Sequence, residues 1–160
     1  MKILITICAR GGSRGILGKN IKMINGKPLI YYTINTANLF KNKLHFPIDI
    51  VISTDSNEIK SVVSSLEFKL DLNYTRPDVL ATDSAGKIGA IIDVKNYMEK
   101  KHNKTYDYVL DLDVTSPLRL VSDIKKGFKK IKDERSDILF SVNKTRVDPY
   151  FNSVEKKSDK

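Results

Sequence analysis

The chain has 160 residues, 41% of them hydrophobic and 29% charged, an ordinary globular composition that can bury one sizeable core. No apolar run approaches the roughly 20 residues that a membrane-spanning helix needs. The apolar start leads into Arg10-Gly11-Gly12 and not into a small-residue cleavage site, so a first core strand of a cytoplasmic protein is expected there and not a secretory signal.

The formal net charge is +9, and no Asp or Glu occurs from Met1 to Ile48. Such a carboxylate-free stretch creates a positive field that favours a polyanion, either a nucleotide or a nucleic acid. The single cysteine, Cys8, has no disulfide partner in the chain and fits a reducing compartment. It is either a packing residue or a nucleophile.

In chain order, residues 3–7 form an apolar, β-branched run typical of a strand buried on both faces. Residues 10–20 are a loop with four glycines. Asn25-Gly26 marks a turn, with a small hairpin expected over 22–28. A helix is expected over 29–40 and a second buried strand over 48–53. Asp55-Ser56-Asn57-Glu58 offers cap chemistry for a helix to about residue 66. Alternation over 68–74 suggests a strand, 85–100 a helix and 106–112 a strand ending in Asp111-Leu112-Asp113. Ser122-Asp123 caps a helix to about residue 132, and a further strand is expected over 137–142.

Strands alternating with helices predict an α/β fold of three layers, a mostly parallel sheet with helices on both faces, Rossmann-like. One domain is expected over 1–155, with a charged tail at 156–160. Ligands of such sheets bind beyond the carboxyl ends of the strands, where the loops at Arg10, Arg76 and Asp113 would converge.

The loop Arg10-Gly11-Gly12-Ser13-Arg14-Gly15-Ile16-Leu17-Gly18-Lys19-Asn20 carries the strongest chemistry. Its glycines let backbone N–H groups approach phosphate oxygens, and Arg10, Arg14 and Lys19 add charge-assisted donors. A P-loop would need Gly at Ser13 and Ser or Thr at Asn20, and the dinucleotide fingerprint would need Gly at Arg10. Asp111 and Asp113 share one face of their strand. They either hold Mg²⁺ or serve as a cap and an ion-pair partner. Arg76 taken alone is a surface loop residue, and Arg119 either binds a carboxylate or pairs with an Asp. His45 and His102 have no partners at metal-ligand spacing.

The segment from Ala9 to Asn20 resembles the signature of the acylneuraminate cytidylyltransferase family, A-R-G-G-S-K-G-I-x-x-K-N, with Arg14 in place of the usual Lys. The match continues through Asn25-Gly26-Lys27-Pro28, Val51-Ile52-Ser53-Thr54-Asp55, Arg76-Pro77, Leu80-Ala81, Asp83 and Thr115-Ser116-Pro117-Leu118-Arg119, up to Asp148-Pro149-Tyr150. The resemblance implies transfer of CMP from CTP to a nonulosonic sugar acid, sialic or legionaminic in type, with pyrophosphate released and Mg²⁺ as cofactor.

By the same resemblance, Arg10, Gly11, Gly12, Ser13, Arg14, Lys19 and Asn20 hold the triphosphate, with Arg10 and Lys19 catalytic. Arg76, Ala81, Asp83, Ser84, Ala85 and Lys87 line the cytosine and ribose. Asp113, Thr115, Ser116 and Arg119 face the sugar acid. Asp113 in the usual Gln position and Lys87 in the usual Ser position point to the legionaminate branch. Family members continue beyond the equivalent of Lys160, with a last strand, an acidic pair for Mg²⁺ and part of the arm of a homodimer. A C-terminally shortened chain that binds nucleotide is therefore expected. The alternatives are a nucleotide-binding fragment without turnover, another sugar nucleotidyltransferase, or a nucleic-acid binder. The last is disfavoured, because aromatics are only 8% and the basic cluster sits in a glycine loop.

Overall fold

The isoleucine-rich start forms strand β1 (Ile3–Cys8), buried at every residue but the last. The computed structural model describes residues 1–13 and 15–143; Arg14, Asp148-Pro149-Tyr150 and the tail 156–160 lie outside the described residues. After the glycine loop comes the expected hairpin, β2 (Met23–Ile24) with β3 (Lys27–Pro28). Asn25 and Gly26 both take positive φ, 48° and 75°. A two-residue hairpin turn of the primed type needs this at both positions, which is why Asn-Gly stands there.

Helix α1 (Leu29–Asn42) buries Ile30, Ile34, Ala37 and Phe40, a stripe at helical spacing. Strand β4 (Ile48–Ser53) follows, then α2 (Asn57–Ser64), whose N-cap Ser56 accepts the Ile59 N–H at 3.3 Å. Helix α3 (Lys87–His102) buries Ala90, Val94 and Met98. A Cβ at Gly89 would stand 3.4 Å from Leu80, so the glycine lets the 3-10 turn Asp78–Leu80 pack closely on α3. Strand β5 (Tyr108–Asp111) and helix α4 (Val121–Glu134) complete the elements. Asp123 does not precede α4 as a cap. It sits in the first turn and accepts the Leu120 N–H at 3.0 Å, as the acidic residue of a capping box does.

The sheet runs β4-β1-β5, all parallel. From β1 the chain crosses through α1 to β4 on one side; from β4 it returns through α3 to β5 on the other. Right-handed crossovers in opposite directions place α1 and α3 on opposite faces, giving the three layers. Leu4 and Val51 on one face pack with Val94 and Met98 of α3, together with Tyr74 and Tyr106. Ile3, Ile5, Ile7, Ile50 and Ile52 on the other face are buried as well. Each such side chain contributes about 1.5–3 kcal/mol of burial. No helix among the described residues is long and apolar enough to cross a membrane.

Two strand expectations fail. Over 68–74 only Asp71 bridges to a strand, at Val51. The Asn73 N–H turns to the Asp71 carboxylate at 3.0 Å, a local bond that competes with a ladder. Residues Met1–Lys125 form one compact unit and Lys126–Lys160 another. In the second, residues 137–142 form no strand. Ile138, Phe140 and Val142 stay exposed, and alternation makes a strand only where a ladder partner is present.

Candidate functional site

A cleft of about 480 Å³ opens beyond the carboxyl ends of β1 and β5. Parallel α/β sheets place ligands beyond the carboxyl ends of their strands. Arg10, Ser13, Gly15, Lys19 and Asn20 line it from the first loop; Arg76, Leu80, Thr82, Asp83 and Ala85 from the middle of the chain; Gly86, Lys87 and Ala90 from the start of α3; Asp113 and Thr115 from the loop after β5. Cys8 forms part of the floor. Four cationic side chains thus face two carboxylates, a surplus suited to an anionic ligand.

The glycine loop is tied down at two points. Asp55 accepts the Gly11 N–H at 3.0 Å. Buried Asn20 donates its side-chain amide to the Arg10 carbonyl at 2.9 Å, joining the two ends of the loop. Gly18 takes φ 61° to start the 3-10 turn Lys19–Ile21, a conformation that favours glycine. A Cβ at Gly11 would lie 3.0 Å from the Ser56 Cβ, so the loop lies directly against the N-terminus of α2. Neither Gly11 nor Gly12 lines the cleft; both shape the loop behind it.

Arg10 extends to Asp83, Nη2 to Oδ1 at 2.5 Å. Lys19, also on the cleft wall, makes no ion pair among the described residues. Arg76 is no surface residue: it is 6% exposed. Its Nε donates to the Ser53 hydroxyl at 3.0 Å and its Nη2 to the Ser53 carbonyl at 2.6 Å. Its own N–H reaches the Thr54 carbonyl at 2.9 Å. Arg76 therefore binds the middle loop to the end of β4 while still lining the cleft.

Lys87, the first residue of α3, donates to Asp111 Oδ2 at 2.6 Å and to Asp113 Oδ2 at 3.1 Å. Burial lowers the Lys87 pKa, but the two carboxylates outweigh it and hold the ammonium above its usual range. Burial pushes Asp113 up, but the Thr115 N–H and hydroxyl and the Lys87 ammonium outweigh it and hold the carboxyl at about 2. Burial raises the Cys8 thiol to about 11, reinforced by the Asp111 charge, so it is no ready nucleophile.

Asp111 and Asp113 do not fit a divalent cation as they stand. No group of three or more His, Cys, Asp or Glu able to hold a metal occurs among the described residues. The Lys87 ammonium, moreover, already bridges the pair. Among the described residues, Asp111 and Asp113 stand as the ion-pair partners of Lys87.

Ser116, Arg119, Ala81 and Ser84 do not line the cleft. Arg119 Nη2 donates to the Asp113 carbonyl at 3.2 Å, and burial lowers its pKa despite the nearby Asp113 and Asp111 charges. Its Nη1 is buried without a hydrogen-bond partner. Arg119 thus braces the Asp113 loop. The sequence missed Asp55, Ser53, Leu80 and Ala90 as parts of the site. The available signal was a polar strand end, Ser53-Thr54-Asp55, facing the glycine loop across the sheet.

A family model described as cytidylyltransferase matches residues 4–159. The chain is 39% identical over 154 residues to the post-translational flagellin modification protein B of Campylobacter coli, covering 96% of this chain and 63% of that protein. It is 37% identical over 159 residues to the CMP-N,N'-diacetyllegionaminic acid synthase of Campylobacter jejuni subsp. jejuni serotype O:2, covering 99% of this chain and 65% of that one. It therefore spans a little under two thirds of these curated relatives. A solved CMP:2-keto-3-deoxy-manno-octonic acid synthetase, complexed with CTP, superposes with a TM-score of 0.65 at 20% identity, over 85% of this chain and 49% of that one, and shares the fold. The family match takes in all of the sheet but Ile3 and every residue of the cleft, and on that ground the chain belongs to the cytidylyltransferase family.

Proposed function

We propose that this cleft binds CTP and that the protein to which the chain belongs joins CMP to a nonulosonic acid, of the sialic, legionaminic or pseudaminic type, with release of pyrophosphate. The observation that carries this is the glycine loop pinned at Gly11 and Asn20, with Arg10 and Lys19 on the cleft wall. Relatives named for CMP-legionaminate, pseudaminate and acylneuraminate synthesis support the substrate class.

In this reaction the anomeric hydroxyl of the sugar acid attacks the α-phosphorus of CTP. The bond from that phosphorus to the bridging oxygen breaks, and pyrophosphate leaves. Phosphoryl transfer of this kind needs positioning and charge neutralisation more than a strong nucleophile. Arg10 and Lys19 offset charge on the α-phosphate and the leaving pyrophosphate, while Ser13 and Asn20 border the triphosphate and Gly11 and Gly12 shape the loop behind them. Arg76, Ala85 and Lys87 border the nucleoside, and Asp83 is the partner that Arg10 leaves for the phosphates. Asp113 and Thr115 form the sugar-acid side, with Arg119 bracing the Asp113 loop. Asp113, held at about 2, is too weak a base to take the hydroxyl proton at neutral pH. CTP enters as its Mg²⁺ complex, the metal arriving with the substrate. The setting is cytoplasmic and the assembly a homodimer, with no part for nucleic acid or a membrane.

The span of under two thirds of the relatives favours a second reading, a nucleotide-binding part whose turnover needs residues beyond this chain. Pyrophosphate release with CTP, Mg²⁺ and a panel of nonulosonic acids separates the two, with ATP, GTP and UTP as controls and calorimetry for CTP binding. CTP-dependent release names the substrate. Binding without release establishes the second reading, and neither binding nor release overturns both.

A further inference from the structure

Lys87 occupies an unusual place. It opens α3 directly after Gly86, where the helix dipole disfavours a cation, and the first turn of α3 holds no acidic residue. Its ammonium is held there by two carboxylates from another part of the chain, Asp111 at 2.6 Å and Asp113 at 3.1 Å. The remaining oxygens of that pair are also engaged. Asp111 Oδ1 accepts the Thr6 hydroxyl at 2.9 Å. Asp113 Oδ1 accepts the Thr115 N–H at 2.9 Å and the Thr115 hydroxyl at 2.8 Å.

We infer that Lys87 is a built-in counter-cation that takes, between Asp111 and Asp113, the position a divalent metal would take, so the pair binds no free metal while Lys87 stays in place. A divalent cation needs oxygens at about 2.0–2.6 Å and usually six of them. Here the two outward oxygens are held by the ammonium and the two inner ones by fixed hydroxyl and amide donors. A metal would have to displace Lys87 and overcome repulsion from its charge. Lys87 thereby keeps two neighbouring carboxylates from repelling each other and the cleft net cationic for a triphosphate. Lys87 is a positioning residue, and it offers the cleft a cation that arrives with the fold and not with the ligand.

The inference deepens the assignment of this cleft to CTP, but its test contains no nucleotide, so a failure to bind CTP leaves it answerable. The chain is titrated with Mn²⁺ and free Mn²⁺ is followed by electron paramagnetic resonance. The wild-type chain is expected to take up none where Lys87→Met and Lys87→Gln each take up one ion, an affinity gain of about tenfold or more. Asp113→Asn in either background abolishes that uptake. Circular dichroism identifies folded variants, and the two substitutions guard against loss of one. Wild-type uptake as tight as in the variants, or no gain in a folded variant, overturns the inference.

Discussion

Arg10 and Asp83 close on each other across the cleft, guanidinium to carboxylate at 2.5 Å, and both side chains are about one third exposed. The carboxylate stands where an incoming phosphate would be drawn, so binding of a triphosphate replaces one anion with another. Asp83→Asn removes the competing charge and is expected to tighten CTP binding about two- to fivefold, the scale of a partly exposed ion pair. Calorimetry at fixed ionic strength measures this. Weaker binding in Asp83→Asn would assign Asp83 a direct contact with the nucleotide instead.

Lys19 presents the opposite case. It lines the cleft without an ion pair among the described residues, so no such bond there has to open before its ammonium meets a phosphate. Lys19→Ala is expected to lower turnover about a hundredfold or more, the range for removing one charge-stabilising donor, while the melting temperature stays put. Pyrophosphate release and a thermal melt, read on the same preparation, check both parts. Near-normal turnover would remove Lys19 from the mechanism.

The sheet and the glycine loop were legible in the sequence because their causes are local. Ile3 to Ile7 and Ile48 to Ile52 read as buried strands from side-chain type alone, and Asn25-Gly26 dictates its own turn. The wiring of the site was less legible because its bonds are long in sequence. Arg76 reaches back to Ser53, and Lys87 reaches forward to Asp111 and Asp113. Nothing near Arg76 distinguishes it from a surface arginine; only the return of its loop to the end of β4 buries it. Residues 137–142 misled for the converse reason: they carry a strand's pattern but no ladder partner among the described residues.

The loop's two adjacent glycines are expected to behave differently. A methyl at Gly11 meets Ser56 Cβ at 3.0 Å and Asp55 at 3.6 Å, so Gly11→Ala must push the loop away from the start of α2 and strain the Asp55 bond. A cost of about 1–3 kcal/mol is expected, as for other overpacked sites, together with weaker CTP binding. At Gly12 a methyl meets nothing within 4 Å. Gly12→Ala should stay within about 0.5 kcal/mol of the parent, as open surface positions do. Denaturant unfolding of both variants tests the contrast, and equal costs would show that loop entropy rather than the Ser56 contact governs.

Cys8 lies on the cleft floor, yet its chemistry is suppressed. Burial, with the Asp111 charge beside it, raises the thiol to about 11. A raised acid ionises later as pH climbs, so at pH 8 only about one thiol in a thousand is thiolate. Alkylation by iodoacetamide should therefore be about a hundredfold slower than for a free cysteine at pH 8 and should accelerate steadily towards pH 11. Asp111→Asn removes the second cause of the rise and should shift that profile to lower pH. Mass spectrometry of labelling rates from pH 7 to 10 gives the profile, with the far-ultraviolet spectrum confirming the fold at each pH. A plateau near pH 8.5 would mean that the thiol is solvated and that the floor of the cleft is open to water.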